Sequence, residues 1–309
     1  MSRPVLDAAL QARLERDSVE AMGPPFELLR PDVWRAPVIF TSPHSGDIYP
    51  DSFLARADCP LSTLRMNEDA FIDELFAAAA GLGAPLLSAR FPRCFVDVNR
   101  APTELPPNWH APNRPAKTTA RAEAGFGVIP LMIAQNTPIY AQSPPKDVMF
   151  ERLERLYQPY HAALQNLIDE ALVLFGRAVV IDCHSMPGFA AMGARRADIV
   201  LGDRYGLSCS THTMTVVERA FIQGGYNFVR NSPYAGGYVT THYGRSAQDP
   251  ERAVETVQIE INRDLYLNPV TIEKKSRGYE ALSKNLEDII WHIVRAFDGG
   301  RRAEILAAE

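Results

Sequence analysis

Short apolar runs alternate along the chain with longer segments whose apolar residues recur at helical spacing. The short runs predict β-strands at residues 38–41, 85–89, 94–98, 178–181, 199–201, 228–229 and 257–261. The longer segments predict helices at residues 68–80, 146–175, 213–223 and 279–296. Strands with near-continuous apolar runs that alternate with helices are typical of α/β folds. We therefore predict a mixed, mostly parallel sheet that is flanked by helices on both faces.

Single residues predict where two of these helices begin, end or bend. Asn67 is suited to cap the first helix, and Gly81 and Gly83 are suited to end it. Pro159 lies inside the second helical segment and has no backbone N–H group, so we expect a kink or an interruption there.

The same pattern predicts how the chain is organised into domains. Residues 1–34 are rich in charge and predict an N-terminal lead-in that packs on the core, and residues 35–309 predict a single α/β domain. The stretch at 101–145 is rich in proline and polar residues and is too long for an ordinary connection. Loops of this kind usually serve function, and the pattern leaves open whether this one closes over a site as a lid.

Composition and charge narrow the function classes. The 309 residues are 46% hydrophobic and 22% charged, with a formal net charge of -5 and a pI of about 5.9. An acidic chain without a dense run of lysine and arginine is not expected to bind nucleic acid. The cysteines form no CxxC pair, and neither a secretory signal nor an apolar run of membrane-spanning length is visible. We expect a cytoplasmic protein with no membrane partner, and a homo-oligomer stays open.

Two histidines come at the ends of predicted strands. His44 follows the strand at 38–41, and His184 follows the strand at 178–181, with Asp182 two residues before it. Ligand sites of parallel α/β folds lie at the carboxyl ends of the strands, so we expect both imidazoles on one rim. Neutral imidazole is the commonest metal ligand, and Asp182 would fix the tautomer of His184. The alternatives are a loop histidine bonded to backbone and a buried histidine that Asp182 satisfies.

A catalytic zinc ion typically takes a third protein ligand, for which we expect a carboxylate here. Glu68 and Asp69 are the candidates, in the first turn of the predicted helix at 68–80. Acidic residues also favour helix N-termini through the helix dipole, and composition does not separate the two explanations.

Other polar residues at predicted strands point to a base and to substrate contacts. Glu260 lies inside an otherwise apolar strand, where an unpaired carboxylate would be costly. A general base explains this position, and an ion pair with Arg263 is the alternative. The pair Asn99–Arg100 follows the strand at 94–98 and suits a carboxylate ligand, with an ion pair between Asp97 and Arg100 as the alternative.

Five segments together resemble the N-formylglutamate amidohydrolase family. They are Ser-Pro-His-Ser-Gly at 42–46, Asp-Val-Asn-Arg at 97–100, Asp-Cys-His-Ser-Met-Pro at 182–187, Gly-Gly-Tyr-Val-Thr-Thr-His-Tyr-Gly-Arg at 236–245 and Gln-Ile-Glu-Ile-Asn-Arg at 258–263. They occur in the family's order, over about residues 35–295. The same order is similar to the wider zinc carboxypeptidase and aspartoacylase architecture, so the resemblance implies a zinc carboxypeptidase-like fold.

The resemblance also implies a role for each matching residue. The implied roles are zinc ligands for His44, Asp69 and His184, the catalytic base for Glu260, and substrate contacts for Asn99 and Arg100. The peptidases have their acidic ligand three residues after the first histidine, where this chain has Asp47. Asp47 and Glu68 therefore remain rivals of Asp69.

The implied activity is zinc-dependent hydrolysis of N-formyl-L-glutamate, or of a close N-acyl amino acid, to formate and L-glutamate, as in histidine catabolism. A small dianionic substrate needs concentrated positive charge, which Arg100, Arg121 and Arg245 would supply. His242, close to Arg245, would line the pocket, unless the glycines around it mark a simple turn.

Other functions stay open at this point. One is a deacylase or carboxypeptidase-like hydrolase with a different substrate, and another is a non-catalytic binding protein on the same fold. A hydrolase that uses Ser185 or Cys183 beside His184 is disfavoured because the Gly-x-Ser-x-Gly motif is missing. Nicotinamide and ATP chemistry are disfavoured because the chain has neither a dinucleotide fingerprint nor a P-loop.

Overall fold

A computed structural model describes residues 8–106, 119–190, 193–244 and 253–299. The α-helices in these ranges are α1 (Ala8–Ala21), α2 (Asp51–Arg56), α3 (Leu61–Arg65), α4 (Ile72–Phe76), α5 (Ala78–Gly81), α6 (Ala120–Glu123), α7 (Lys146–Arg152), α8 (Gln158–Phe175), α9 (Thr211–Gln223), α10 (Tyr238–His242) and α11 (Ser276–Phe297). The strands are β1 (Phe26–Leu29), β2 (Val38–Ser42), β3 (Leu86–Ala89), β4 (Met132–Ala134), β5 (Thr137–Pro138), β6 (Ala178–Met186), β7 (Ile199–Gly202), β8 (Phe228–Arg230), β9 (Val254–Asn262), β10 (Leu267–Asn268) and β11 (Glu273–Lys274). None of the described helices is both long and apolar enough to cross a bilayer.

The chain forms two compact units, each built from several segments. The first unit contains the segment that ends at Glu27, together with His44–Glu68 and Ala89–Ala162. The second unit contains Leu28–Pro43, Asp69–Ser88 and the segment that begins at Ala163. The predicted division at residue 35 stays a prediction.

The main sheet has seven strands within the described residues, in the order β1-β3-β2-β6-β9-β7-β8. Strand β2 runs parallel to β3 and to β6, β6 runs parallel to β9, and β7 runs parallel to β8. Strand β7 is antiparallel to β9. The predicted α/β class with a mixed, mostly parallel sheet is therefore confirmed.

Strands β6 and β9 bury two chemically different faces. On one face, alternate residues of both strands join an apolar cluster with α4, α5, α9 and α11, and these residues are Val179, Ile181, Cys183, Val257, Ile259 and Ile261. Successive side chains of a strand point to opposite faces, so the residues between them lie on the other face. Those residues include Asp182, His184, Gln258 and Glu260. The register places His184 directly beside Glu260, because the two are Cα partners.

The helix predicted at 68–80 begins later and is broken. Phe71 adopts a left-handed conformation with φ 66°, which a helical residue cannot have, so α4 begins at Ile72. The predicted cap at Asn67 and the placement of Glu68 and Asp69 in the first helical turn are therefore wrong. The predicted end is close to the observed one, since α5 ends at Gly81.

The strand predicted at 94–98 is also wrong. This segment is irregular, and the N–H groups of Phe95 and Val96 both donate to the carbonyl oxygen of Pro92, at 2.9 and 3.3 Å. Asn99 and Arg100 therefore do not follow a strand. The apolar residues of 94–98 are buried, and the sequence pattern of a short buried segment is the same whether or not it forms a strand, which is why the prediction failed.

The interruption predicted at Pro159 is confirmed. A π-helical turn at Leu153–Tyr157 separates α7 from α8, and the N–H of Gln158 donates to the carbonyl of Leu153. Strand β6 is longer than predicted, so His184 lies within the strand rather than after it.

The first unit contains a fully buried ion pair between α1 and α7. The Arg152 Nε donates to Glu15 Oε1 at 2.5 Å, and neither side chain is exposed to solvent. The same guanidinium donates to the Tyr140 hydroxyl at 2.8 Å and lies 3.9 Å from the centroid of the Phe95 ring. These contacts offset part of the cost of burying the guanidinium charge.

Candidate active site

His184 is held between two carboxylates on the polar face of β6. Its Nε2 lies 2.9 Å from Asp182 Oδ2, and its Nδ1 lies 2.9 Å from Asp69 Oδ2. Asp182 is itself held by the Thr41 hydroxyl, which donates to its Oδ1 at 2.9 Å. The predicted pairing of Asp182 with His184 is therefore confirmed. Burial lowers the pKa of His184, but the two carboxylates outweigh it and raise the pKa well above its usual value.

His44 is held in a similar way two residues after β2. Its Nε2 lies 2.8 Å from Asp97 Oδ1, which also accepts the backbone N–H of Asn99 at 2.9 Å. Asp97 Oδ2 accepts from Arg93 at 2.9 Å. Burial raises the pKa of Asp97, but Arg93 and His44 outweigh it and hold the pKa well below its usual range. The predicted ion pair of Asp97 with Arg100 is longer, at 3.9 Å.

The two histidines and Asp69 form a group that fits a metal ion. One ligand atom from each of His44, Asp69 and His184 lies within 4.8 Å of the others, and all three residues are buried. The Nε2 atom of each imidazole lies against a carboxylate, which is Asp97 for His44 and Asp182 for His184. A carboxylate behind each histidine is the usual support of a metal-binding imidazole, and two histidines with one carboxylate suit zinc.

The other two carboxylates considered as third ligand have different surroundings. Glu68 is buried and accepts hydrogen bonds from the Tyr49 hydroxyl at 2.7 Å and from Arg65 at 3.2 Å. Asp47 is exposed to solvent. Among the described residues, Asp69 is the carboxylate that joins the two histidines.

Glu260 lies on the same face of the sheet as His184. It is 7% exposed, and its Oε1 accepts a hydrogen bond from Gln258 Nε2 at 2.9 Å. Arg263 contacts other groups: its Nε donates to Ser185 Oγ at 2.9 Å, and its Nη2 donates to Asp69 Oδ1 at 3.0 Å. Glu260 is thus a buried carboxylate beside a candidate metal ligand.

The predicted substrate-binding residues fall into two described groups. Asn99 is buried, and Arg100 is half-buried, with its Nε donating to the carbonyl of Phe126 at 3.2 Å. Burial lowers the pKa of Arg100 despite the Asp97 carboxylate, and the charges of Arg93 and Arg121 lower it further. Arg93, Arg100 and Arg121 therefore bring three positive charges to this first group. Arg121 lies on α6 and is exposed to solvent.

The second group is on α10. His242 is exposed, and its ring stacks on Tyr238 with centroids 4.9 Å apart and meets the edge of Tyr243 at 4.7 Å. Arg245 lies outside the described residues.

The two rival nucleophiles beside His184 have other roles in the structure. Cys183 belongs to the apolar cluster on the opposite face, and burial raises the pKa of its thiol well above the usual value. The Ser185 hydroxyl donates to Asp69 Oδ1 at 3.1 Å. Both ring nitrogens of His184 lie against carboxylates, whereas the base of a serine hydrolase directs one ring nitrogen at the serine hydroxyl.

Comparison with known proteins identifies the family. A model of the N-formylglutamate amidohydrolase family matches residues 36–267. The chain belongs to this family. Its members are hydrolases, and the resemblance found in the sequence is confirmed.

Individual relatives agree with this family. The chain is similar to the N-formylglutamate amidohydrolase structure from Ralstonia eutropha JMP134, with 32% identity, a TM-score of 0.81, and coverage of 88% of this chain and 98% of the other. It is 27% identical to the N-formylglutamate deformylase of Pseudomonas putida over 75% of this chain and 82% of the relative. It is 28% identical to the deformylase of Pseudomonas aeruginosa over 76% and 83% of the two chains.

The glycine of the first family segment is required by close packing. A Cβ at Gly46 would overlap the carbonyl oxygen of Phe91 and would lie 2.6 Å from the Phe91 amide nitrogen. Backbone cannot move aside as a flexible side chain can, so Gly46→Ala is expected to lower the free energy of unfolding by about 1–3 kcal/mol. Metal affinity should fall as well, because Gly46 is two residues from His44.

A matched control for this change lies in α5. A Cβ at Gly81 would meet nothing within 4 Å, so Gly81→Ala should be neutral or stabilise the protein by up to about 1 kcal/mol. Urea unfolding of both variants measures the difference. Equal unfolding free energies for the two variants would show that the backbone contact at Gly46 is not required.

Proposed function

We propose that this protein is a zinc-dependent amidohydrolase that hydrolyses N-formyl-L-glutamate, or a close N-acyl amino acid, to formate and L-glutamate. The observation that carries the proposal is the grouping of the His44, Asp69 and His184 ligand atoms within 4.8 Å in a family member. The Pseudomonas relatives and the Ralstonia structure are named for activity on N-formylglutamate, which supports this substrate.

The three grouped residues would hold the zinc ion through the Nδ1 atoms of both histidines and through Asp69. When bound, zinc acts as a Lewis acid, which acidifies water and polarises the carbonyl group of the amide. Asp97 and Asp182 would keep both imidazoles in the tautomer that leaves Nδ1 without a proton.

Glu260 would move the proton during hydrolysis. It takes a proton from the attacking water, and it then gives that proton to the nitrogen of the breaking C–N bond. Its burial and the hydrogen bond from Gln258 support this role, because both hold the carboxylate in one position beside His184. The products are formate and L-glutamate, whose amino group is then free.

Positive charge on the substrate side would select an acidic amino acid. The charge of Arg121 lowers the pKa of Arg100, which indicates that the two side chains lie near each other. Together with Arg245 they would bind the two carboxylates of the substrate. Asn99 would orient the amide, and His242 would line the pocket. The natural partner is thus a small acidic N-acyl amino acid.

Metal analysis of the purified protein tests the proposal. We expect about one zinc ion per chain by plasma mass spectrometry, since the site offers three protein ligands. The variant His184→Ala should lose the metal and the release of formate from N-formyl-L-glutamate. The control His212→Ala removes an exposed histidine of α9 and should keep both. Metal-free protein that still hydrolyses the substrate would contradict the zinc mechanism and would favour Ser185 as nucleophile.

A further inference from the structure

Asp69 is held by two donors that the mechanism above does not use. Its Oδ1 accepts from Ser185 Oγ at 3.1 Å and from Arg263 Nη2 at 3.0 Å. The Arg263 Nε donates to the same Ser185 Oγ at 2.9 Å, so the three side chains form a closed triangle of hydrogen bonds. All three are buried, which makes charge-assisted bonds of this kind strong.

The triangle leaves the two oxygens of Asp69 with different partners. His184 and Ser185 are consecutive residues of β6, so their side chains leave the strand on opposite faces. Asp69 Oδ2 lies at the His184 imidazole on one face, and Oδ1 lies at the Ser185 hydroxyl on the other. The carboxylate therefore contacts the side chains of two consecutive residues of β6, one through each oxygen.

The backbone beside Asp69 is anchored as well. The Tyr266 hydroxyl donates to the carbonyl oxygen of Ala70 at 3.0 Å, and Tyr266 is fully buried. The chain turns sharply after this point, with Phe71 in the left-handed conformation. The side chain of Asp69 and the backbone beside it are thus held by different residues.

We infer that Ser185 and Arg263 are positioning residues that make Asp69 a metal ligand through one oxygen, Oδ2. This inference rests on the proposed function, because it concerns the same metal. With Oδ1 occupied by two donors, the carboxylate does not rotate to offer both oxygens to the cation. The Arg263 charge also offsets the negative charge of Asp69, one of the three carboxylates that act on His184.

Zinc affinity of the whole protein tests the inference. Ser185→Ala removes one donor to Oδ1 and is a small change, so the fold should persist. Chelator competition should show zinc binding weakened by about 10- to 100-fold, the usual effect of losing a partner of a metal ligand. Arg263→Lys keeps the charge but replaces the two separate guanidinium nitrogens that bond Ser185 and Asp69 with a single ammonium group, so it should also weaken binding. The electronic spectrum of the cobalt-substituted variants should change as Asp69 gains freedom to bind through two oxygens.

Ser208→Ala is the matched control. Ser208 is also buried in the second unit, and its hydroxyl donates to the carbonyl of Thr256 at 2.9 Å. This variant should match the Ser185→Ala variant in lost stability and should keep the zinc affinity and the cobalt spectrum of the unaltered protein. If the weaker zinc binding of Ser185→Ala came only from lost stability, Ser208→Ala would show it too.

The outcomes separate the two proposals. If the unaltered protein binds zinc and releases formate but Ser185→Ala binds zinc equally well, the positioning role is overturned and the proposed function stands. If the unaltered protein binds no zinc, both are overturned. Weaker binding in the Ser185→Ala and Arg263→Lys variants, with unchanged binding in the Ser208→Ala variant, supports the inference.

Discussion

Replacing Glu260 with glutamine is expected to lower kcat for N-formyl-L-glutamate by about 10²- to 10⁴-fold, the usual contribution of general acid–base catalysis. This corresponds to about 3–5 kcal/mol of transition-state free energy. Glutamine has the shape of glutamate, and its amide oxygen can still accept from Gln258, so the site should keep its geometry. The change removes the proton acceptor and little else. Zinc content and KM should therefore change far less than kcat.

Steady-state formate release, measured together with zinc content, tests this result. Glu255→Gln is a control on the same strand: Glu255 is also buried, but it accepts from Ser210 at 2.7 Å and Arg177 at 2.8 Å on the other side of the sheet. That control should lose stability and keep kcat. A Glu260→Gln variant that turns over within a few-fold of the unaltered protein would exclude Glu260 as the base.

Replacing Glu15 with leucine is expected to lower the free energy of unfolding by about 3–5 kcal/mol, because it leaves the guanidinium of Arg152 buried without its counter-charge. The ion pair is 2.5 Å long, and neither side chain is exposed. The Tyr140 hydroxyl and the Phe95 ring would still contact Arg152, but neither supplies a negative charge. Urea unfolding followed by circular dichroism measures the loss.

A double variant separates the buried charge from the loss of packing. Combining Glu15→Leu with Arg152→Met replaces both charges by apolar groups of similar length, and such replacements are often close to neutral. The double variant should therefore be more stable than Glu15→Leu alone. If it is less stable by the sum of the two single changes, the loss comes from packing and not from an unpaired charge.

Sequence patterns predict the sheet better than the segments between its strands. Strand β6 begins with four consecutive apolar residues, and β9 has an apolar residue at every second position from 257 to 261, so both strands were predictable from the sequence. The segment at 94–98 has the same pattern but turns at Pro92, because the hydrogen bonds that decide its conformation come from outside the apolar run. The left-handed Phe71 could not be predicted either, since an aromatic residue disfavours that conformation.

The site shows the same limit. Asp182 and His184 are two residues apart, so their hydrogen bond could be inferred from spacing on one strand. Asp97 is 53 residues from His44 and Arg263 is 194 residues from Asp69, so neither contact leaves a spacing signal. Arg152 is similar: an arginine within a helical pattern predicts a solvated side chain, but contacts with Glu15, Tyr140 and Phe95, which are distant in sequence or on other elements, bury it.

Because side chains alternate along β6 and β9, each strand carries two sets of positions that can be changed independently of each other. Val179, Ile181 and Cys183 face the apolar cluster, so a substitution there changes the free energy of unfolding through the packing of the core. Asp182 and His184 alternate with them on the other face, so a substitution there changes the hydrogen bonds of the candidate site. Residues that are neighbours along the chain thus meet different physical requirements, so the packing of the core and the polar site can be varied in separate libraries that share no position.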